Sequence, residues 1–134
     1  MEVPEADETS PSSVAEAFYV AYWSYDAASD TAHSRNERIS PLATTALAEQ
    51  ESEARLPPAE WARAQEADEV VQISDVVSYV DPSAPSPSEV HAYYMVQGTR
   101  TITTTDGDRS ERAPTKALLL LQHDGAWYVD QILR

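Results

Sequence analysis

The chain has 134 residues, 42% of them hydrophobic, no cysteine and a net charge of −14. That is enough apolar material for one domain with one core and too much for a disordered chain. The missing thiols exclude a disulfide framework, a thiolate zinc site and a cysteine nucleophile, and acidity without a basic stripe argues against gripping nucleic-acid phosphates or anionic lipid.

Residues 1–12, MEVPEADETSPS, are acidic, contain Pro and Ser and are nearly free of large apolar groups. This is the composition of a linker or tail of weak order, which leaves 13–134 as a single domain. The first helix is expected from Ser13, with Ser13 and Glu16 forming a capping box. Val14, Phe18, Ala21, Tyr22 and Tyr25 recur at helical spacing, a wide aromatic stripe suited to lie across a sheet. The helix weakens at Asp26–Asp30, and 31–39 suit a short helical turn carrying Arg35, Arg38 and Ile39. Ser40-Pro41 reads as a second start, a capping serine before a proline at the first helical position. Leu42, Ala43, Ala46 and Leu47 give its buried face, Glu49, Glu51 and Glu53 its exposed one, and Arg55-Leu56-Pro57-Pro58 its end. Ala59–Glu66 makes a third, short helix with Trp61 turned inward.

From Val70 the period changes to two. Val71, Ile73, Val77 and Tyr79 alternate with Gln72, Ser74 and Ser78, which predicts a strand. Asp81–Ser88, with three prolines, is a loop. Val90–Thr105 is a long second strand, and Asp106-Gly107 turns it back toward Lys116–Arg134. In that last stretch Asp124-Gly125 is a strong two-residue hairpin signal, because both positions need positive φ. The turn sets Gln122 opposite Trp127, Leu120 opposite Val129, Leu121 opposite Tyr128, Leu118 opposite Gln131 and Ala117 opposite Ile132. Counting from Asp106-Gly107 sets Met95 opposite Leu118, Tyr93 opposite Leu120, Tyr94 opposite Leu119 and Ala92 opposite Leu121. Pro114 cannot donate to a ladder, so Arg100–Ala113 reads as an exposed, bulged arm. The result is an α+β arrangement: three N-terminal helices packed on one face of a curved four-stranded antiparallel sheet.

Both faces of the final hairpin are apolar, where a half-solvated strand would alternate. Helices cover one face. The other, with Tyr94, Leu119, Leu121, Tyr128 and Ile132, is covered either by the curved sheet itself or by a partner: a symmetric copy or another member of an assembly. Charge is uneven: residues 1–69 carry fifteen acids and four bases, residues 70–134 eight acids and five bases. No segment approaches the roughly 18–20 apolar residues of a membrane span, and the acidic N-terminus lacks the apolar core of a signal peptide. Met1 is either the natural start or a start placed after a removed anchor. His33, His91 and His123 are scattered without ligand spacing, so no metal site and no cofactor is expected. There is no Gly-rich phosphate loop and no nucleophile elbow.

Three helices followed by a curved meander that closes on Asp124-Gly125-Ala126-Trp127-Tyr128-Val129 resemble the nuclear-transport-factor-two-like, cystatin-like fold, which is cone-shaped. Ala17-Phe18, Tyr22, Tyr25-Asp26, Arg38, Leu42 and Leu47 carry the rest of the likeness. Within that fold the phrase AEAFYVAYWSYD, with the later Arg38 and Ser40-Pro41-Leu42, is similar to the extracytoplasmic domains of Gram-positive conjugal transfer proteins. Those are single-span assembly factors of type IV secretion channels. Membrane proteins of mammalian-cell-entry lipid import systems share much of the pattern, and that likeness implies an alternative role as an accessory domain of such a system. The likeness covers 14–134 and implies a non-enzymatic interaction domain of a membrane-anchored, extracytoplasmic protein with protein partners, residues 1–12 being its tether. The chain departs from the family in lacking a span and in carrying one copy where some members carry two. Resemblance to ketosteroid-isomerase-like enzymes of the same fold implies another alternative, a cone-cavity protein that binds a small ligand or acts as an isomerase-like enzyme. Tyr22, Tyr25, Asp26, Trp61 and Trp127 would line the cavity, and Asp30 and His33 lie near its mouth.

Overall fold

The computed structural model describes residues 5–31, 33–51 and 57–133. Helices pack on a strongly curled antiparallel sheet, a half-barrel, so the chain is α+β as expected. The helices are α1 (Pro11–Trp23), α2 (Ser34–Ile39), α3 (Thr45–Gln50) and α4 (Pro58–Glu66), with a 3₁₀ turn at Ser40–Leu42. The strands are β1 (Tyr25–Asp26), β2 (Val70–Tyr79), β3 (His91–Thr104), β4 (Gly107–Arg112), β5 (Lys116–His123) and β6 (Ala126–Leu133). They run β1-β2-β3-β5-β6, and β4 shares with β5 one edge of the long β3. The expected four strands are therefore six. The short β1 was not foreseen, and the expected arm is a regular β3–β4 ribbon.

α1 begins at Pro11, not Ser13. Ser10 is the cap and its hydroxyl accepts from the Ser13 amide, because the proline after it is already set for the first helical turn. Glu16 is consequently no part of a capping box; its carboxylate accepts from the Ser78 hydroxyl at 2.5 Å, tying α1 to β2. Within the presumed tail, Ala6 packs on the core and the Glu8 carbonyl accepts from the Trp127 amide. α1 is buried almost all round: Ala15, Tyr19 and Val20 join Val14, Phe18 and Tyr22 in the core. It lies between the sheet and the α2 segment. Its C-terminal carbonyls are met by Arg38, which donates to Ser24 O at 2.9 Å and Ala21 O at 3.5 Å while pairing with Asp30 at 2.9 Å.

The second helix starts later than Ser40. Ser40-Pro41 opens only the 3₁₀ turn, and Thr44 caps α3, its hydroxyl accepting from the Leu47 amide and donating to Asp130. That shift of frame leaves Ala46 exposed. The expected end at Arg55-Leu56, and Glu53, lie outside the described residues.

Three irregularities set the faces of the sheet. The β3–β4 turn is Thr105-Asp106, since Thr104 pairs with Gly107. The break at Ala113–Thr115 then shifts β5, so Tyr94 lies opposite Leu118, Ala92 opposite Leu120 and Tyr93 opposite Leu119. The expected pairs were one residue off, which exchanges the side chains of β3 between faces relative to those of β5. The β5–β6 hairpin holds the predicted register from its turn to Leu120–Val129. A bulge follows, and Leu118 meets Ile132, not Gln131, while Ala117 meets Leu133. Finally, β2 carries an extra residue between Ser74 and Val77, with Asp75 at φ 52°. Val71 and Ile73 face the core as predicted; Val77 and Tyr79, beyond the bulge, do not. Gly98 sits opposite this bulge, where a Cβ would stand 3.0 Å from the Ser74 carbonyl.

The core side of the sheet is thus Ala92, Val96, Leu118, Leu120, Trp127 and Val129, packed on α1. Burying each of the larger of these contributes about 1.5–3 kcal/mol. A smaller cluster of Tyr25, Ala27, Ala64 and Val71 lies under α4.

Candidate functional site

The sheet face turned away from the helices carries the chain's unusual chemistry. Side chains alternate across a strand, so the neighbours of the core residues fall on this face. The pairing arranges them in rows: His91, Leu121 and Tyr128; Tyr93, Leu119 and Gln131; Tyr79, Met95, Ala117 and Leu133; and Val77 with Gln97. None of these carries a permanent charge. Val77 is 50% exposed, Tyr79 44% and Val90, just before β3, 59%. The rest are half-buried apart from the exposed Gln131, sheltered mainly by one another. Toward the arm the face turns polar, with Gln72, Thr99, Thr101, Thr103 and Ser110.

Part of the apolar face is roofed by the Asp81–Ser88 loop. Asp81 holds its start, accepting at Oδ1 from the Ser83 amide (2.9 Å) and hydroxyl (2.8 Å). These two bonds hold its carboxyl below the usual carboxylate range. Ser88 holds the end, with its amide on the His91 carbonyl and its hydroxyl 2.9 Å from His91 Nδ1.

Of the interface residues expected from sequence, Leu119, Leu121 and Tyr128 lie on this face. Tyr94 and Ile132 do not: they pair with Leu118 and pack on the core side, because of the one-residue slip and the β5–β6 bulge. Tyr79, Tyr93, Met95 and Leu133 take their places. The final Trp-Tyr-Val and Leu-rich runs pointed to a two-faced sheet, but only the bulges decide which residue faces which way.

The five residues expected around a cavity fall into separate groups. Tyr22 and Trp127 belong to the main core and Tyr25 and Trp61 to the small cluster, their rings 5.8 Å apart. The Tyr22 hydroxyl donates to Glu51 at 2.9 Å, with the Arg35 guanidinium over its ring at 4.4 Å. The Tyr25 hydroxyl donates to Glu69. Asp26 accepts from the Ala28 amide at the end of β1, while Asp30 pairs with Arg38 and His33 is exposed. The hydroxyls of Tyr22 and Tyr25 and the carboxylate of Asp30 are each engaged in holding one element to another.

A wider cleft of about 480 Å³ lies between α1 and the β2 bulge, lined by Glu5, Ser13, Glu16, Ile73 and Asp75 among others. Its carboxylates face no assembled acid–base pair. Among the described residues no three His, Asp or Glu side chains come together as a metal site, and no helix is long and apolar enough to cross a membrane.

No family model matches the chain, and no curated protein matches it.

Two residues that sequence reasoning passed over matter for the architecture. Ser24 is fully buried, and its hydroxyl accepts from the Ile73 amide at 3.1 Å. Tyr19 is buried, and its hydroxyl donates to Pro114 O at 2.6 Å, pinning the break between β4 and β5. Burial raises its phenol above the ordinary value, against the opposing charge of Arg100. The helical period of Tyr19 offered a signal; Ser24 offered none, since a serine after a helix is usually solvated.

Proposed function

We propose that this chain is a non-enzymatic interaction domain that docks protein partners on the sheet face opposite its helices. The observation carrying the reading is that face itself: four rows of uncharged, mostly apolar side chains with Val77 and Tyr79 about half exposed, in a chain of net charge −14. Contiguous exposed apolar surface is rare on monomers and marks association. The dispersal of Tyr22 and Trp127 into one packing cluster and of Tyr25 and Trp61 into another, with Asp26 bonded locally at the end of β1, favours this over a ligand-binding cone.

The finer reading rests on the resemblance. The fold is of the cystatin-like, nuclear-transport-factor-two-like kind. The chain is the extracytoplasmic part of a membrane-anchored protein of a conjugation or type IV secretion assembly. Curled-sheet geometry and the phrase from Ala15 to Asp26 support that placement.

Two experiments test the two levels. A photo-crosslinking residue at Leu121 in the native gene product should capture a protein, and the same probe at Gln72, on the polar part of that face, should not. Equal capture at both, or none at Leu121, removes the face from consideration. Fractionation of cells with protease added outside should find the protein membrane-bound and cleaved; a protected cytosolic protein refutes the extracytoplasmic placement and leaves the docking face standing.

A further inference from the structure

Beneath the Asp81–Ser88 loop lies a pocket of about 200 Å³, lined by Ala84 and Pro85 of the loop and by Tyr93, Tyr94, Met95, Ala117 and Leu133 of the sheet. It is smaller than the roughly 300–1,000 Å³ of sites for drug-sized ligands. A space of that size suits one large side chain, the form in which interface anchors sit in pockets. Asp81 is the one charged residue of its lining. Both bonds from Ser83 fall on Oδ1, so Oδ2 has no partner among the described residues. An apolar recess with a single carboxylate residue in its lining is complementary to an apolar group that has a cation next to it.

We infer that this pocket is the anchor point of the sheet-face interaction, taking one aromatic or branched aliphatic side chain of a protein partner whose neighbouring lysine or arginine pairs with Asp81. The inference rests on the docking reading above and names the partner's chemistry. The loop supplies the specificity, because it brings a charge beside four rows that carry none. The two serines that hold its ends keep the recess formed before the partner arrives, which lowers the ordering cost of binding.

The test uses the whole chain and two blocked tetrapeptides, acetyl-Ser-Arg-Trp-Ser-amide and its counterpart with Glu in place of Arg. At roughly millimolar peptide, the range for so small a ligand, methyl NMR signals of Met95, Ala84 and Ala117 should shift. The arginine peptide should bind roughly threefold tighter, the size an exposed ion pair gives. Asp81→Asn keeps an acceptor for Ser83 and removes the charge, so it should abolish that preference while the methyl shifts remain. Absence of the shifts, absence of the preference, or a preference that survives Asp81→Asn overturns the inference. Crosslinking at Leu121 is read separately: capture there without peptide binding here refutes the anchor alone, and peptide binding without capture refutes the docking reading.

Discussion

Replacing Ser24 by alanine removes one oxygen from a fully buried site and leaves the Ile73 amide without its acceptor. The void is small, so the cost is that of an unsatisfied buried N–H, about 1–3 kcal/mol. In a chain of 134 residues, 2 kcal/mol corresponds to roughly 6–10 °C in Tm. The location matters as much as the size. β1 supports β2 only at Val70 and Val71, and the bulge follows Ser74. Ser24 is thus the last tie between the end of α1 and β2 before the strand changes phase. Calorimetry should show the fall in Tm, and amide exchange should show Ile73 losing protection more than its neighbours paired to β3. A Tm within 2 °C of the parent, with Ile73 protection unchanged, would refute the reasoning and mean that the amide is satisfied elsewhere.

Gly98→Ala should lower stability by about 1–3 kcal/mol in urea unfolding, since the new methyl meets the Ser74 carbonyl at 3.0 Å and the methyls of Ile73 and Val76 at 3.2 Å; an unchanged midpoint would mean the bulge yields freely. Gly125→Ala, at φ +81°, should cost about 1 kcal/mol or more, read the same way. Tyr19→Phe should cost about 1 kcal/mol through its lost bond to Pro114 O. Because the native phenol holds its proton more tightly than the unfolded chain does, its contribution is whole below the ordinary value of 10.0 and is lost as pH rises through the raised native value. Unfolding free energies measured from pH 8 upward should therefore fall more steeply in the parent than in Tyr19→Phe, and parallel curves would count against the burial argument. Val77→Ser and Tyr79→Ser, both at exposed positions, should stay within about 0.5 kcal/mol of the parent in thermal melts while weakening capture at the sheet face.

The class of the fold was readable because its signals are local and redundant. The Asp124-Gly125 turn takes positive φ at both residues, as two-residue hairpins require, and the switch of period at Val70 marks where helices end and strands begin. What was not readable is what bulges decide. The β3–β4 turn moved the register by two residues, the Ala113–Thr115 break moved it back by one, and the net slip exchanged Tyr94 for Tyr93 and Met95 on the sheet face opposite the helices. At β2 a single aspartate at positive φ turned Val77 and Tyr79 outward, although their spacing from Ile73 is that of an unbroken strand. An extra residue in a strand leaves composition and turn signals untouched, so only the three-dimensional pairing reveals it. Ser10 and Thr44 show the same limit in helices: several serines and threonines compete for each cap, and the winner is set by where the chain must dock.

The distribution of charge connects the fold to the proposed role. Residues 1–69, which supply the helices, hold fifteen acids against four bases. The bases Arg35 and Arg38 are drawn into pairs with Glu51 and Asp30 that brace α2 against its neighbours, so most of the remaining acids look outward on that side. The opposite sheet face has none in its four rows. Repulsion between two such chains is therefore strongest helix side to helix side and weakest face to face. The same partition lets a basic or neutral partner approach the apolar rows without desolvating a carboxylate, except at Asp81, where the loop sets one at the edge of the recess beneath it. A surface built merely for solubility has no need to segregate its charges in this way.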